Sequence, residues 1–212
     1  MKHSFNLLLS VSLGASVISC NFINKAKETT QSYQDAVQAA KNVSESSEQV
    51  NKKIEERRAK GDTLAMPYKK LAEFMPSGIS GYEPQGEPSG QTMNMQGFSY
   101  SSYEQNYKKG DDSNVKIQIM DYNAAAPLLA ISTMVFSTGI EMENESQFTK
   151  SWSPGIEGVK GYEEYGKQSK DAKVTLSVAD RFFVQVSATN QPNDDLVKEI
   201  AKSIKLTDLA QY

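Results

Sequence analysis

The chain has 212 residues, with 23 Lys or Arg against 26 Asp or Glu, which gives a formal net charge of −3 at pH 7. A mildly acidic chain with charges of both signs lacks the basic patch that would attract nucleic acid or anionic lipid headgroups, so neither is an expected partner. Its single cysteine, Cys20, allows no internal disulfide, so the fold has to be stabilised by buried apolar area.

Residues 1–19 have the layout of a secretory signal. A short basic head precedes an apolar stretch from Phe5 to Ile18 that is too short to span a bilayer. The run Val17-Ile18-Ser19-Cys20 resembles the bacterial lipobox, in which the cysteine thiol is alkylated by diacylglycerol and becomes the mature N-terminus. The resemblance implies a membrane-anchored lipoprotein with Cys20 lipidated. An uncleaved helix or a plain secretory signal is the alternative.

The residue after the cysteine bears on the compartment. Asn21 stands where many lipoproteins retained in the inner membrane have Asp, which favours the outer membrane of a diderm bacterium. Mature lipoproteins of this kind carry more than one acyl chain, the condition for stable anchoring. We therefore expect a protein of the cell envelope whose membrane contact is its lipid.

Residues 25–61 contain no proline, and no glycine before Gly61, and are rich in Ala, Glu, Gln, Lys and Ser. This composition predicts one long helix. Its heptad apolar positions are too sparse to hold a coiled coil by themselves. Residues 20–62 are therefore interpreted as the lipidated cysteine followed by a helical spacer, with a partly ordered linker as the alternative.

A different pattern begins at residue 63. Pro67 predicts the start of a short helix with Leu71 and Phe74 on one face. Residues 77–90 hold four glycines and two prolines, which predicts a loop with at most one short strand around residues 79–82.

From Gln96 onward apolar residues alternate with polar ones. Phe98 and Tyr100, then Val115, Ile117 and Ile119, predict two strands of a hairpin with one apolar face, joined by a turn at residues 109–112. The apolar run from Pro127 to Phe136 predicts a buried helix that ends at Gly139.

The remaining segments complete the fold prediction. Strands are expected at residues 147–152, 162–167, 174–178 and 182–187, and a helix is expected after Asn193 with an apolar face that includes Val197 and Ile200. Together they predict an α+β domain over residues 63–212. In it a twisted antiparallel sheet is packed by a central buried helix and a C-terminal helix, and the long N-terminal helix precedes it.

Two stretches resemble known proteins. The run Tyr162-Glu163-Glu164-Tyr165, the strands from Val174 to Val186, and the segments Asp194-Asp195-Leu196 and Ile204 to Leu209 resemble the end of a group of uncharacterised exported bacterial proteins. More distantly, the order of elements over about residues 95–209 is similar to PsbP-like domains, which include envelope lipoproteins. The resemblance implies this fold and a non-catalytic accessory or binding role. Residues 25–61 depart from that pattern.

The catalytic repertoire is small. If the lipobox resemblance holds, the only histidine, His3, is removed with the signal and lipidation consumes the only thiol, that of Cys20. This excludes Ser-His-Asp and Cys-His catalysis and the usual zinc sites. We therefore predict no catalytic residue, no metal site and no cofactor.

Weaker candidates keep their alternatives. One candidate calcium site is Asp111-Asp112-Ser113-Asn114, which is more simply interpreted as a turn, and one candidate cation site is formed by Glu141, Glu143 and Glu145, which could equally be a charged sheet edge. Copper could be bound by Met93 and Met95, or these are ordinary methionines. A flexible loop is indicated by Gly155, Gly158 and Gly161. Tyr100, Tyr103 and Tyr107 are possible ligand-facing residues or ordinary sheet aromatics.

Three functions fit these features. The first is a non-enzymatic envelope lipoprotein that binds a partner protein or an apolar ligand. The second is a carboxylate-based glycan hydrolase, which needs two acids about 5 to 10 Å apart in a cleft. The third is a structural spacer that oligomerises through residues 25–61.

Overall fold

An eight-stranded antiparallel sheet forms the centre of the fold, with strand order β1-β2-β3-β8-β7-β6-β5-β4. The strands are β1 (Glu83–Met95), β2 (Phe98–Lys109), β3 (Ser113–Asp121), β4 (Glu141–Glu143), β5 (Gln147–Trp152), β6 (Val159–Gly166), β7 (Ala172–Val178) and β8 (Phe182–Ala188). The expected strands from residue 147 onward are all present, displaced at their ends by three residues or fewer. The α+β class is confirmed.

The computed structural model describes residues 48, 50–123, 139 and 141–212. The signal segment, Cys20, most of the helix expected over residues 25–61 and the helix expected over residues 127–136 lie outside these residues. Within them, residues 48 and 50–59 are helical, and residues 50–59 are α1 below. No helix among the described residues is long and apolar enough to cross a membrane.

Besides α1, three short helices lie among the described residues. Pro67 precedes α2 (Tyr68–Leu71), which continues into a 3-10 turn at Ala72–Phe74. Both Leu71 and Phe74 are buried, which confirms the predicted face. The helix α3 (Asp195–Ser203) begins after Asn193, whose side-chain oxygen accepts the Asp195 backbone N–H at 3.0 Å, and α4 (Leu206–Leu209) follows it.

The main core lies on one face of the sheet. Alternate residues of β3, β7 and β8, among them Ile117, Leu176 and Val184, are fully buried there. They pack with Val197 and Ile200 of α3 and with residues of α2 and α4. Burial of these side chains is the dominant stabilising contribution, as expected for a fold without disulfides.

Helix α1 packs on the opposite face of the sheet. Val50 and Ile54 are each 3% exposed and contact Phe183, Met120 and Tyr122. Burial raises the pKa of Tyr122 to about 12. The end of the predicted spacer is therefore in contact with the sheet.

Two segments that the sequence predicts as loops are strands. Residues 83–90 belong to β1, where Pro84 and Pro88 are accommodated because β1 is an edge strand. The pairing with β2 shifts between Gln85 and Ser89. Gly161 belongs to β6, whereas Gly155 and Gly158 lie before it with positive φ angles.

The predicted hairpin of residues 98–119 is confirmed, but the prediction that its apolar residues share one face is wrong. Tyr103 pairs with Ile119 and Tyr107 with Val115, so these tyrosines share the core face with the aliphatic residues. Phe98 and Tyr100 lie on the opposite face, because their positions differ by an odd number of residues. A tight turn at residues 179–181 joins β7 to β8, with positive φ angles at Ala179 and Asp180.

Candidate functional site

A polar groove lies on the sheet face that also carries α1, at the end of the sheet away from that helix. Its volume is about 360 Å3, within the range of small-ligand sites. Six adjacent strands from β2 to β5 contribute side chains to this face, namely Asn106, Asn114, Lys116, Ser187, Lys173, Glu164, Gln147 and Thr149. The pleat places them together because strand positions alternate between faces.

The charges in the polar groove are balanced by neighbours. Lys173 Nζ lies 2.5 Å from Oε2 of Glu164 on the adjacent strand, and Lys116 Nζ lies 3.3 Å from Oε2 of Glu104. Asp171 adds one further carboxylate at the rim. A ligand entering the groove therefore meets ion pairs rather than a field of one sign.

The polar groove also contains neutral side-chain groups that are available to hydrogen-bond a ligand. The hydroxyls of Thr149 and Ser187 and the side-chain amides of Asn114 and Gln147 make no hydrogen bond to another described residue. An amide offers two donors and two acceptor lone pairs, and a hydroxyl offers one donor and two. The site can therefore satisfy a ligand that alternates donors and acceptors.

The three predicted ligand-facing tyrosines do not form one site. Tyr107 is buried in the main core, and burial raises the pKa of its hydroxyl. Tyr103 packs partly buried against the same core. Tyr100 lies on the other face with its ring centroid 5.2 Å from that of Tyr122. The alternative, ordinary sheet aromatics, describes all three.

A buried ion cluster ties the segment after α1 to the sheet. Arg181 donates to both carboxylate oxygens of Asp121 at 2.8 to 3.1 Å and to Asp62 at 2.6 Å. Burial alone would lower the pKa of Arg181, but hydrogen bonds and charges from these two acids outweigh it and raise the pKa. The cluster is structural, because Asp121 and Arg181 are closed off from solvent.

A second acidic cluster lies between β6 and α3. Lys198 Nζ is 3.4 Å from Oε2 of Glu163 and 3.1 Å from Oδ1 of Asp194. Burial, followed by the charge of Asp194, raises the pKa of Glu163 despite Lys198. Glu163 and Glu164 are neighbours on β6 and therefore point to opposite faces of the sheet. The two acids that do meet, Glu163 and Asp194, lie outside the polar groove, so they do not supply the cleft that a glycosidase pair requires.

The weaker candidates have structural surroundings. Asp111 and Asp112 occupy the turn between β2 and β3. Glu143 accepts from Lys167 at 2.8 Å and lies 3.4 Å from Lys150, and these contacts lower its pKa. Met93 and Met95 are both exposed on one face of β1. Within the described ranges, no group of three His, Cys, Asp or Glu side chains is placed to hold a metal ion.

Sequence reasoning did not identify the polar groove. Its residues alternate with core residues along their strands, and polar residues at such positions are normally interpreted as a solvated face. The available signal was the number of amide and hydroxyl side chains at one end of several strands, such as Asn106, Asn114 and Ser187. Only the strand order brings these ends together.

The chain has little similarity to known proteins. No family model matches it, and no curated protein matches it. Among solved structures, an X-ray structure of an uncharacterised protein from Mycobacterium smegmatis matches with a TM-score of 0.33 and 8% sequence identity, covering 68% of this chain and 95% of that one. Similarity at this level assigns neither a family nor an activity, so the function has to be argued from the site.

Proposed function

We propose that this protein is a non-enzymatic, lipid-anchored binding module of the bacterial envelope whose polar groove binds an uncharged, hydroxyl-rich ligand such as a saccharide segment. The observation that supports it most is the convergence of unpaired neutral groups, on Asn114, Gln147, Thr149 and Ser187, in one cavity of about 360 Å3. Saccharides present alternating donors and acceptors without charge, which is the complement of this lining.

The charge distribution favours an uncharged ligand over a charged one. Lys173 and Lys116 already have carboxylate partners, so an anionic ligand would have to compete with Glu164 and Glu104. A cation would meet the same obstacle from the lysines. Desolvating an ion without a compensating partner costs far more than desolvating a hydroxyl that gains a hydrogen bond.

The polar side chains of the lining disfavour a wholly apolar ligand, although Phe148 and Tyr165 add aromatic surface to the same groove. Asn114, Gln147 and Ser187 would lose their water on contact with an apolar surface and gain no hydrogen bond in return. Each buried unsatisfied polar group costs about 1–3 kcal/mol. A polar ligand, or a polar segment of a partner protein, avoids this cost.

The proposed anchor is supported by the lipobox resemblance of residues 17–20, and the proposed non-catalytic role by the resemblance to PsbP-like domains. We expect the protein purified from its native envelope to begin at Cys20 and to carry a diacylglyceryl thioether and a further acyl chain. Mass spectrometry of the intact protein and of its peptides measures both. A Cys20→Ser variant should partition into the aqueous phase of a detergent phase separation. A native chain with a free thiol at residue 20 would contradict the anchor.

Binding is tested with the full chain in detergent and a panel of uncharged oligosaccharides, N-acetylglucosamine oligomers and maltooligosaccharides, followed by calorimetry. Ser187→Leu should fill the polar groove and weaken binding at least tenfold, or about 1.4 kcal/mol. The matched control Ser77→Leu changes an exposed serine outside the groove and should leave binding unchanged. Absence of binding to the whole panel, or equal loss in both variants, would contradict a saccharide site.

A further inference from the structure

Residues 89–95 of β1 form an open sheet edge. Seven consecutive positions, from Ser89 to Met95, pair with β2, and no other described strand pairs with them on the far side. The segment Ser-Gly-Gln-Thr-Met-Asn-Met has no charged residue and no proline. Unpaired backbone along an uncharged edge is a template for pairing with another strand.

The other edge positions of the sheet carry features that block strand pairing. The opposite edge strand β4 has three residues, two of which are Glu141 and Glu143. The first half of β1 contains Pro84, Pro88 and Glu87 and a shift in its pairing with β2. Prolines, charges, short length and irregular pairing are the usual protections of an edge. Residues 89–95 lack all four.

The open edge is held in place before any partner arrives. The backbone N–H of Tyr68 donates to Oγ1 of Thr92 at 2.9 Å, and the Tyr68 ring covers Gly90 so closely that a Cβ there would overlap it. Ser99 donates to Oδ1 of Asn94 at 2.5 Å. Because the strand is already ordered, pairing would cost little further conformational entropy.

Exposed methionines lie along the same segment. Met93 is 44% exposed and Met95 is 59% exposed, on the sheet face opposite Tyr68. Methionine is a flexible side chain that adapts to a partner surface. Two such side chains beside an unpaired edge add apolar area to the backbone hydrogen bonds that a new strand would form.

We infer that residues 89–95 pair antiparallel with the same residues of a second copy of this chain, joining two sheets about a two-fold axis. Self-pairing opposes only uncharged residues, so it incurs no like-charge repulsion. With the axis at Thr92, Met93 and Met95 face Gln91 and Ser89 of the second copy, and all the methionines lie on one face. A two-fold contact uses the same surface of both copies and is closed, so residues 89–95 of neither copy remain available to a third chain.

The inference is tested by sedimentation velocity of the full chain in excess detergent. The native chain should show a concentration-dependent dimer. Met93→Lys places two cations close together across the axis and should weaken the dimer at least tenfold, whereas Glu87→Lys, in the protected half of β1, should not. Circular dichroism shows whether both variants remain folded.

Cross-linking locates the contact. The only native cysteine is Cys20, so a Thr92→Cys chain should form a disulfide-linked dimer on mild oxidation, because facing residues of an antiparallel pair have Cα atoms about 4.5–5.5 Å apart. Glu83→Cys on the same strand should remain uncross-linked. A strictly monomeric native chain, a dimer unchanged by Met93→Lys, or equal cross-linking at both positions would overturn the inference.

Discussion

Replacing Asp121 by alanine should lower the free energy of unfolding by about 3–5 kcal/mol, the range for breaking a buried ion pair. Asp121 is fully buried and Arg181 is 3% exposed. The Asp121 carboxylate accepts three hydrogen bonds from Arg181 and one each from the backbone N–H groups of Met66 and Asn123, at 2.7 and 2.8 Å. The substitution leaves all these donors short of a partner in a place that water does not reach.

The orphaned cation explains the size of the effect. The neighbouring acids raise the pKa of Arg181 against the effect of burial, so the guanidinium stays charged in the folded protein. Without Asp121 its remaining acid partner is Asp62, which is 38% exposed. Urea unfolding followed by the fluorescence of Trp152, the single tryptophan, measures the loss.

Two variants separate this interpretation from a general effect of mutation. Lys53 Nζ lies 2.6 Å from Asp180 in an ion pair whose lysine is 47% exposed, so Lys53→Ala should cost less than about 1 kcal/mol. The double variant Asp121→Leu with Arg181→Met removes both charges and should recover much of the stability lost in Asp121→Ala. If Asp121→Ala were no worse than Lys53→Ala, the cluster would not hold the fold together.

The strands from residue 147 onward could be predicted from sequence because their signals are local. Val174, Leu176 and Val178 alternate with polar residues and mark a strand, and Asp180-Arg181 falls between two such runs. The structure places β7 and β8 there, joined by a three-residue turn at residues 179–181. Pro67 and Asn193 likewise mark the helix starts through short-range chemistry.

The contacts that shape the surface are not local. Arg181 meets Asp121 across 60 positions and Asp62 across 119, and neither spacing leaves a pattern in the chain. The polar groove depends in the same way on strand order, since Asn106 and Thr149 belong to strands five places apart in the sheet. Sequence periodicity gives the face of each strand but not its neighbours.

Local propensity also misled the prediction for residues 83–90. Proline and glycine disfavour strands in general, yet Pro84 and Pro88 lie on an edge, where a missing N–H does not break a pairing. Tertiary pairing with β2 overrides the propensity there. The same override applies to Gly161, which the sequence groups with the loop glycines Gly155 and Gly158.

Gly161→Ala should lower the free energy of unfolding by about 3 kcal/mol, at the upper end of the usual cost of overpacking. Gly161 lies in β6 between Trp152 of β5 and Leu176 of β7. A methyl group at this position would overlap the backbone carbonyl oxygen of Thr175 and the side chain of Leu176. The backbone of a strand that is paired on both sides cannot move without disturbing that pairing, so the overlap cannot be relieved at low energetic cost.

The matched control for this substitution is Gly78→Ala. Gly78 has no positive φ angle and nothing within 4 Å of an added Cβ, so the same chemical change should be neutral or slightly stabilising through the unfolded chain. Urea midpoints of the two variants should therefore move in opposite directions, or only the Gly161 variant should lose stability. Equal midpoints would mean that β6 has room for a side chain at residue 161. That result would contradict the close packing of Gly161 against Thr175 and Leu176 of β7.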